Sequence, residues 1–275
     1  MSSDHASAVT IAGFPALETG KGSARPPVVF IHGSFATHLP WQGWMDEFSK
    51  LGWHCVAASM RGRLGLAPAR AKGLTIADYV ADTLKVIDTL DQLPLVVGHS
   101  MGGLVAQKIA EMGKCRAAVL LSPAPAGKLP AQPVALPALL PMMPKILAGL
   151  PMLPTRSGCA RIVLNRMPPD QCPIIHNELV HESGKVYREM IFGTVKVDPS
   201  KIRCPVYVVG GEHDRVVSPA ICKQIAETYG AELRIYPGHA HWLLGEPDFE
   251  KIAGDTAMWL ERNVIGGKAK LHAAA

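Results

Sequence analysis

One serine, Ser100, lies in a pattern that could make it a nucleophile. The run Gly98-His99-Ser100-Met101-Gly102 follows the apolar residues Leu95–Val97 and precedes a helix-forming stretch, 103–112. A serine hydroxyl attacks a carbonyl only when the fold exposes it, a base removes its proton and donors await the oxyanion. A sharp turn from strand to helix exposes it, and glycines on both sides avoid clashes. Because the pattern also occurs by chance, the prediction depends on the strand before it and the helix after it.

A second apolar run is followed by a candidate oxyanion turn. His32-Gly33-Ser34-Phe35 comes directly after Val28–Ile31, and a glycine there lets the backbone turn until an amide faces the nucleophile. The amides of Ser34 and Met101 would then hold the developing negative charge. Loss of one such donor typically lowers the rate about 100- to 1000-fold. The alternative is an ordinary turn from strand to loop.

A candidate acid and a candidate base follow two later apolar runs. Asp214 ends the run Gly210-Gly211-Glu212-His213-Asp214, and His241 lies in Gly238-His239-Ala240-His241-Trp242. The acid would fix the tautomer of the histidine, which would take the serine proton. The alternatives are a helix-capping or salt-bridging Asp214, Glu212 as the acid, His239 as the base, or a metal held by the His-x-His pair. No supporting set of metal ligands is apparent, so no metal is expected.

Apolar runs alternate with helix-length segments, which predicts a mostly parallel sheet flanked by helices. Ligands bind beyond the carboxyl ends of the strands in such a sheet, where these candidates lie. The predicted strands are Val28–Ile31, Trp53–Ala58, Leu95–Gly98, Ala117–Leu121, Val206–Val209 and Glu232–Tyr236. The predicted helices are Trp41–Leu51, one that Thr75 caps through the Asp78 amide, Gly103–Met112, Pro219–Tyr229 and Pro247–Arg262.

A segment of about 75 residues interrupts this alternation and is too long for an ordinary loop. Residues 123–199 hold more than half of the 23 prolines, and we predict that they form a helical cap over the carboxyl edge of the sheet. The core then comprises residues 1–122 and 200–265, followed by a flexible tail, 266–275. Apolar residues at helical spacing predict one amphipathic helix in the cap, weakened by Gly184: Ile175, Leu179, Val186 and Met190.

The composition is that of a folded protein, since 48% of the 275 residues are hydrophobic and 19% are charged. The net charge of +5 comes from scattered Lys and Arg, so a nucleic-acid partner is not expected. Residues 1–10 lack the features of a signal peptide. The apolar stretch 134–153 contains four prolines and a lysine, which disfavours stable membrane insertion. Six cysteines without a C-x-x-C pair predict reduced thiols in the cytoplasm.

The motifs together resemble the α/β-hydrolase fold superfamily over about residues 25–122 and 200–263. The resemblance rests on H-G-S at 32–34, G-H-S-M-G at 98–102, G-E-H-D at 211–214 and P-G-H-A-H-W-L-L-G-E-P at 237–247. The last is similar to the family pattern P-G-x-G-H-W-x-x-x-E-P, which implies His241 rather than His239 as the base. The order Ser100, Asp214, His241 is that of this fold. The resemblance also implies the amides of Ser34 and Met101 as the oxyanion hole.

One departure from the family pattern affects a loop. Many relatives have D-x-R-G-x-G-x-S after the second of these strands, whereas this chain has Ser59-Met60-Arg61-Gly62-Arg63-Leu64-Gly65. The missing Asp and the altered spacing predict a different local geometry. Arg61 and Gly62 keep the centre of the turn.

A serine at the elbow excludes the haloalkane dehalogenases and epoxide hydrolases of this fold, which carry Asp there. The resemblance to bacterial esterases and lipases implies hydrolysis of a carboxylic ester of a small apolar substrate through an acyl-enzyme, with no cofactor. Lactonases, thioesterases, amidases, perhydrolases and C–C bond hydrolases use the same three residues. More distant alternatives are a hydroxynitrile lyase, a cofactor-free oxygenase and a non-catalytic small-molecule receptor.

Apolar side chains are the candidates for substrate binding. Phe35 adjoins the oxyanion turn and Trp242 adjoins the base. Leu140, Met142 and Met143 in the cap would line a channel for the substrate or, alternatively, pack the cap onto the core. The expected partner is a small molecule, and a homodimer is left open.

Overall fold

An eight-stranded sheet organises the computed structural model, which describes residues 6–63 and 67–266. Its order is β1-β2-β4-β3-β5-β6-β9-β10, and β7 pairs with β8 separately. The strands are β1 (Ser7–Ile11), β2 (Phe14–Thr19), β3 (Val28–Ile31), β4 (Cys55–Ala58), β5 (Leu95–His99), β6 (Ala117–Leu121), β7 (Pro151–Met152), β8 (Glu182–Ser183), β9 (Val206–Gly211) and β10 (Glu232–Tyr236). From β4 to β10 all pairs in the large sheet are parallel, as predicted, and β1 and β2 add antiparallel strands at one edge.

Helices cover both faces of the sheet. They are α1 (Gln42–Lys50), α2 (Ile76–Ile87), α3 (Met101–Glu111), α4 (Leu136–Leu139), α5 (Met143–Ala148), α6 (Arg156–Ile162), α7 (Cys172–Glu178), α8 (Gly184–Phe192), α9 (Pro219–Tyr229) and α10 (Phe249–Leu260). Helices α1 and α10 pack on one face and α2, α3 and α9 on the other. The α2 helix begins as predicted, because Thr75 Oγ1 accepts a hydrogen bond from the Asp78 amide at 3.2 Å.

The two-sided covering explains why the fully buried central strands β3, β4, β5, β6 and β9 are largely apolar. Successive side chains of a strand point to opposite faces, and in β3 Val28 and Phe30 join one buried cluster while Val29 and Ile31 join the other. Register aligns the strand ends, since Ile31 lies opposite Gly98. Polar residues that directly follow these strands therefore meet at one edge.

The sequence patterns did not predict the N-terminal hairpin of β1 and β2. Its turn is formed by Ala12 and Gly13, both with positive φ (52° and 83°), which is the geometry of a tight two-residue hairpin turn.

The predicted single amphipathic helix from Ile175 to Met190 is wrong. Helix α7 ends at Glu178, and an extended segment containing β8 separates it from α8. Gly184 lies so close to the 145–150 segment that a Cβ would be 2.5 Å from Lys145 O. The segment is extended where Glu182 is fully buried against Arg63. The helical spacing of the apolar residues did not predict this contact.

The segment 123–199 connects β6 to β9 and contains α4 to α8 together with β7 and β8. It contacts the core through Arg63, which binds Glu182, and through the Ile76 amide, which donates to Glu189 Oε2 at 2.8 Å. No helix in the described part of the chain combines the length and apolar character needed to cross a bilayer. All six cysteines are described; none forms a disulfide, and five are buried.

The loop with the altered family pattern is held by side chains. Arg61 binds Asp82 through its backbone amide (2.8 Å) and its Nε (2.9 Å to Oδ1). Ser59 Oγ, in place of the family's Asp, accepts the His38 amide at 3.1 Å and contacts His38 Nδ1 at 2.7 Å. Residues 64–65 of the predicted loop and 267–275 of the predicted tail lie outside the described residues.

Candidate active site

Ser100 lies at a sharp turn between β5 and α3, with φ 56° and ψ −119°. A non-glycine residue in this conformation costs of order 1–3 kcal/mol, which the surroundings must offset. The turn is fixed by the Ser100 amide, which donates to Leu121 O (2.9 Å), and by the Ala124 amide, which donates to Ser100 O (2.9 Å). A Cβ on Gly102 would collide with the carbonyl oxygen of Ile31. The small residues of the pattern are therefore required by close backbone packing.

Three side chains form a continuous hydrogen-bonded line at the carboxyl edge of the sheet. The Ser100 hydroxyl donates to His241 Nε2 at 3.0 Å, and His241 Nδ1 donates to Asp214 Oδ2 at 2.8 Å. The tautomer with its proton on Nδ1 is assigned because it satisfies both bonds. His241 and Asp214 are each 3% exposed. The structure thus brings together the predicted nucleophile, base and acid.

Asp214 is held by the backbone that follows it. Its Oδ1 accepts the amides of Val216 (2.7 Å) and Val217 (2.8 Å), which leaves Oδ2 for His241. Glu212, the alternative acid, instead accepts the Gly238 amide at 3.1 Å.

His239 is bound by a different carboxylate. Its Nδ1 lies 3.2 Å from Glu246 Oε2, which also accepts the Ala240 amide at 2.8 Å, while Oε1 accepts the Trp242 amide at 3.0 Å. Glu246 therefore holds the amides on both sides of His241. Glu246 is the glutamate of the family pattern at 237–247. The pattern therefore marked this residue in the sequence, although we predicted no role for it.

Two buried histidines support the site without carrying charge. His99 Nε2 donates to His241 O at 2.8 Å, and burial lowers the pKa of His99 to about 3. His32 Nδ1 donates to Gly33 O at 2.9 Å and its Nε2 accepts the Met60 amide at 3.1 Å. Burial lowers the pKa of His32, likewise, to about 3. Both rings are neutral at physiological pH and fix the backbone beside Ser100.

The predicted oxyanion turn lies against the nucleophile. A Cβ on Gly33 would be 3.2 Å from Ser100 Cβ, so the turn approaches Ser100 closely because residue 33 is glycine. The amides of Ser34 and Met101 donate no hydrogen bond to another described residue. Phe35 has φ 63°, and its carbonyl accepts the amide of Val180, in the 123–199 segment, at 2.8 Å.

The pocket over Ser100 is mostly apolar and has a volume of about 510 Å³, which includes space open to solvent. Phe35 and Trp242 line this pocket. A second apolar compartment, of about 770 Å³ including space open to solvent, shares Phe35 with it and is also lined by Met142. Met143 is partly buried against the core. The structure does not bring Leu140 to either compartment, because that side chain is 62% exposed.

Tyr187 is a pocket residue that the sequence did not reveal. It lines both compartments, and its ring centroid is 5.3 Å from that of Phe35. No local motif marks it, since it follows Val186 in what was predicted as a helix face. Within the described residues, no three His, Cys, Asp or Glu side chains are arranged to hold a metal ion.

Comparison with known proteins gives a family and several relatives. A family model described as "Alpha/beta hydrolase family" matches residues 28–250. A Mycobacterium tuberculosis protein provisionally named a non-heme bromoperoxidase is 40% identical over 85 residues, which are 30% of this chain and 32% of that protein. This match thus spans about a third of the relative's length.

Two lipases match over most of their length. The monoacylglycerol lipase of Mycolicibacterium smegmatis is 26% identical over 253 residues, covering 86% of this chain and 88% of the relative. The crystal structure of the Paleococcus ferrophilus monoacylglycerol lipase has a TM-score of 0.66 at 22% identity and covers 86% of this chain and 95% of that one. The structural likeness shows a shared fold.

Proposed function

The chain belongs to the alpha/beta hydrolase family, and we propose that it hydrolyses carboxylic esters of small apolar substrates with Ser100 as the nucleophile. Its family and its lipase relative support hydrolase activity. The observation that carries the proposal of Ser100 as the nucleophile is the hydrogen-bonded line from Ser100 through His241 to Asp214. Ser100 donates to the base and the base donates to the acid, and these are the directions that acyl transfer needs.

In the first half-reaction, His241 Nε2 takes the proton of Ser100 as Oγ attacks the ester carbonyl. Asp214 stabilises the resulting imidazolium through Nδ1. The free amides of Ser34 and Met101 bind the oxyanion, as backbone donors do in acyl transfer. His241 then gives its proton to the leaving alcohol, and the acyl group remains on Ser100.

In the second half-reaction, water attacks the acyl-enzyme. His241 takes the water proton, the oxyanion forms again beside the same two amides, and the acid leaves as Ser100 recovers its proton. Every group in this cycle belongs to the chain or to the substrate, so the proposal names no cofactor.

The lining of the two compartments supports an apolar substrate. Apolar side chains from the cap and core surround Ser100, and apolar pockets with a few placed polar groups are typical of small-molecule sites. Because the two compartments share Phe35 and Tyr187 in their linings, we expect them to take a group larger than acetyl on one side of the ester.

Labelling with a fluorophosphonate, followed by peptide mass spectrometry, tests the nucleophile. We expect the adduct on Ser100 and a loss of about 10⁴-fold or more in p-nitrophenyl ester turnover for Ser100→Ala. Ser122→Ala is the matched control, because Ser122 is buried at the end of the neighbouring strand β6 and its hydroxyl has no described hydrogen-bond partner. Full turnover by Ser100→Ala would refute the proposal.

A substrate series tests the bond that is cleaved. Esters of increasing acyl length are compared with a thioester, a lactone and an amide of the same acyl length, all measured as kcat/KM. We expect the esters to be preferred and the optimum to lie above two carbons. A clear preference for the thioester, lactone or amide would replace the ester proposal by that activity.

A further inference from the structure

Two cysteines that are far apart in the chain meet at the amino edge of the sheet. Cys115 lies two residues before β6, and Cys204 lies two residues before β9. Strands β6 and β9 are parallel neighbours, so the segments that lead into them run side by side. The two sulfur atoms are 3.8 Å apart, although 89 positions separate the residues in the sequence. The proposed ester hydrolysis uses neither thiol.

The contact between the two sulfur atoms is short enough for a covalent bond to form with little movement. A disulfide has an S–S distance of about 2.05 Å, so the sulfur atoms must approach each other by less than 2 Å. Neither Cys115 nor Cys204 belongs to a strand. We therefore expect side-chain rotation and a small shift of the connecting segments to close the gap while β6 and β9 stay paired.

The two thiols differ in access and in acidity. Cys115 is 4% exposed, whereas Cys204 is partly exposed. The hydrogen bond from Cys115 lowers the pKa of Cys204, which burial partly opposes; the same bond, together with burial, raises the pKa of Cys115. The thiolate is the nucleophilic form of cysteine, and it reacts only where a reagent can reach it. Cys204 is thus the sulfur that a dissolved oxidant meets first, with Cys115 directly behind it.

The other cysteines lack this combination of access and acidity. All four are buried, and burial raises the pKa of each of them: Cys55, Cys159, Cys172 and Cys222. Buried cysteines in such surroundings are chemically inert. An accessible thiolate beside a second thiol is instead the arrangement found at redox-sensitive sites.

We propose that Cys115 and Cys204 are an oxidation site, at which a hydroperoxide converts the thiol pair into a reversible disulfide. The Cys204 thiolate attacks one oxygen of hydrogen peroxide, the O–O bond breaks, and a sulfenic acid and hydroxide form. The Cys115 sulfur then attacks the sulfenic sulfur, and the S–OH bond breaks. The leaving hydroxide takes the Cys115 proton as water. Two thiols are oxidised to one disulfide, and one peroxide is reduced to two molecules of water.

The position of this bond determines its effect on the protein. It would close a loop of about 90 residues that contains β6 and the whole 123–199 segment. A cross-link across so long a loop strongly restricts the unfolded chain and therefore favours the folded state. Ser100 lies at the opposite edge of the sheet, beyond the far end of β6, whose five residues rise about 3.3 Å each. We therefore expect oxidation to stabilise the fold and to leave the active site unchanged.

Peptide mass spectrometry tests the bond. The reduced full chain is treated with hydrogen peroxide, its remaining thiols are alkylated, and it is digested with trypsin without reductant. From the positions of Lys and Arg, we expect peptide 115–116 joined to peptide 204–215, two hydrogen atoms lighter than the two peptides together. Dithiothreitol should separate them again, because the proposed bond is reversible.

Thermal unfolding and ester turnover test the consequence. We expect the oxidised chain to have a Tm about 5–10 °C above that of the reduced chain. The kcat/KM for p-nitrophenyl butyrate should be the same in both forms. Each variant below is compared with its own reduced form, so that the cost of the substitution itself cancels.

Three variants test the roles of the two sulfur atoms. Cys204→Ser should lose both the cross-link and the rise in Tm. Cys115→Ala should leave Cys204 as a sulfenic acid, which dimedone traps, because the second thiol is missing. The matched control is Cys222→Ala, which removes a buried thiol of helix α9 and should keep both the cross-link and the rise in Tm.

Several results would overturn this proposal. Recovery of Cys115 and Cys204 as alkylated thiols after peroxide treatment would refute the disulfide, and so would a sulfinic acid on Cys204 without a cross-link. A cross-link with an unchanged or lower Tm would refute the stabilising effect. Dimedone labelling of Cys115 in Cys204→Ser, with none on Cys204 in Cys115→Ala, would reverse the order of attack. The cross-link and the Tm do not depend on Ser100, so the proposed ester hydrolysis is tested separately.

Discussion

Replacing Asp214 by Asn should abolish most activity, because the structure determines which way the new amide points. Asp214 Oδ1 accepts two backbone amides, those of Val216 and Val217, at 2.7 and 2.8 Å. The Asn carbonyl must take that position, since its NH2 group would otherwise face two donors. The NH2 group then faces His241 Nδ1, where the parent enzyme has an acceptor.

The consequence for His241 is a change of tautomer. Facing an N–H donor, Nδ1 becomes the acceptor and the proton moves to Nε2, which then cannot accept the proton of Ser100. Restoring the productive tautomer would oppose two donors and leave both unpaired, at about 1–3 kcal/mol each. A midpoint of about 4 kcal/mol corresponds to about 10³-fold in rate, and loss of the negative charge beside the imidazolium increases the effect further.

Steady-state hydrolysis of p-nitrophenyl butyrate measures this loss, and we expect it in kcat with KM little changed. The ¹⁵N shifts of the His241 ring should show Nε2 protonated in Asp214→Asn and Nδ1 protonated in the parent. Asp170→Asn removes the same charge from an exposed cap position and should retain activity. A kcat within tenfold of the parent, or an unchanged tautomer, would refute the reasoning.

Three further changes test the surroundings of the site. Glu246→Gln should lower kcat tenfold or more with KM little changed, because one amide beside the base would face an NH2 group; an unchanged kcat would contradict this. Glu182→Gln should lower the free energy of unfolding in urea by about 3–5 kcal/mol, since it leaves the buried charge of Arg63 uncompensated; a loss below about 1 kcal/mol would argue against it. Burial lowers the pKa of His32 and His99 from 6.5 to about 3, so the unfolded chain binds more protons in that range. Stability should therefore fall as the pH falls below 6.5, by up to about 1.4 kcal/mol per pH unit for each histidine; a urea midpoint that is constant from pH 7 to 5 would contradict this.

The centre of the sheet could be predicted because its strands there are buried on both faces. The predicted bounds of β3 and β6 are those of the structure, since an uninterrupted apolar run ended by polar residues has clear limits. The predicted bounds of β10 are also correct, although in this edge strand exposed Glu232 and Arg234 alternate with apolar residues. The places of Ser100, Asp214 and a histidine follow from the same reasoning, because each comes just after a strand and parallel strands end at one edge. The choice of His241 over His239 came from the resemblance to the family pattern.

The cap could not be predicted to the same degree, because its structure depends on contacts between distant residues. Glu182 lies 119 residues from Arg63, and their buried ion pair coincides with an extended segment where local spacing predicts a helix. Leu140 and Met142 are both apolar residues of the same proline-rich stretch, yet Met142 lines a compartment while Leu140 is exposed. Local pattern does not distinguish them, since packing against other elements decides the outcome.

The loop that carries the proposed oxyanion residue also contacts the 123–199 segment. Phe35 follows the proposed oxyanion residue Ser34, its carbonyl accepts the Val180 amide of the cap, and its ring contacts Tyr187. A shift of the cap therefore moves the Phe35 carbonyl and, through the adjoining peptide, the Ser34 amide. Because an oxyanion donor must be placed to within a fraction of an ångström, substitutions that loosen the cap should lower kcat as well as alter substrate choice, even when no substituted residue touches the substrate.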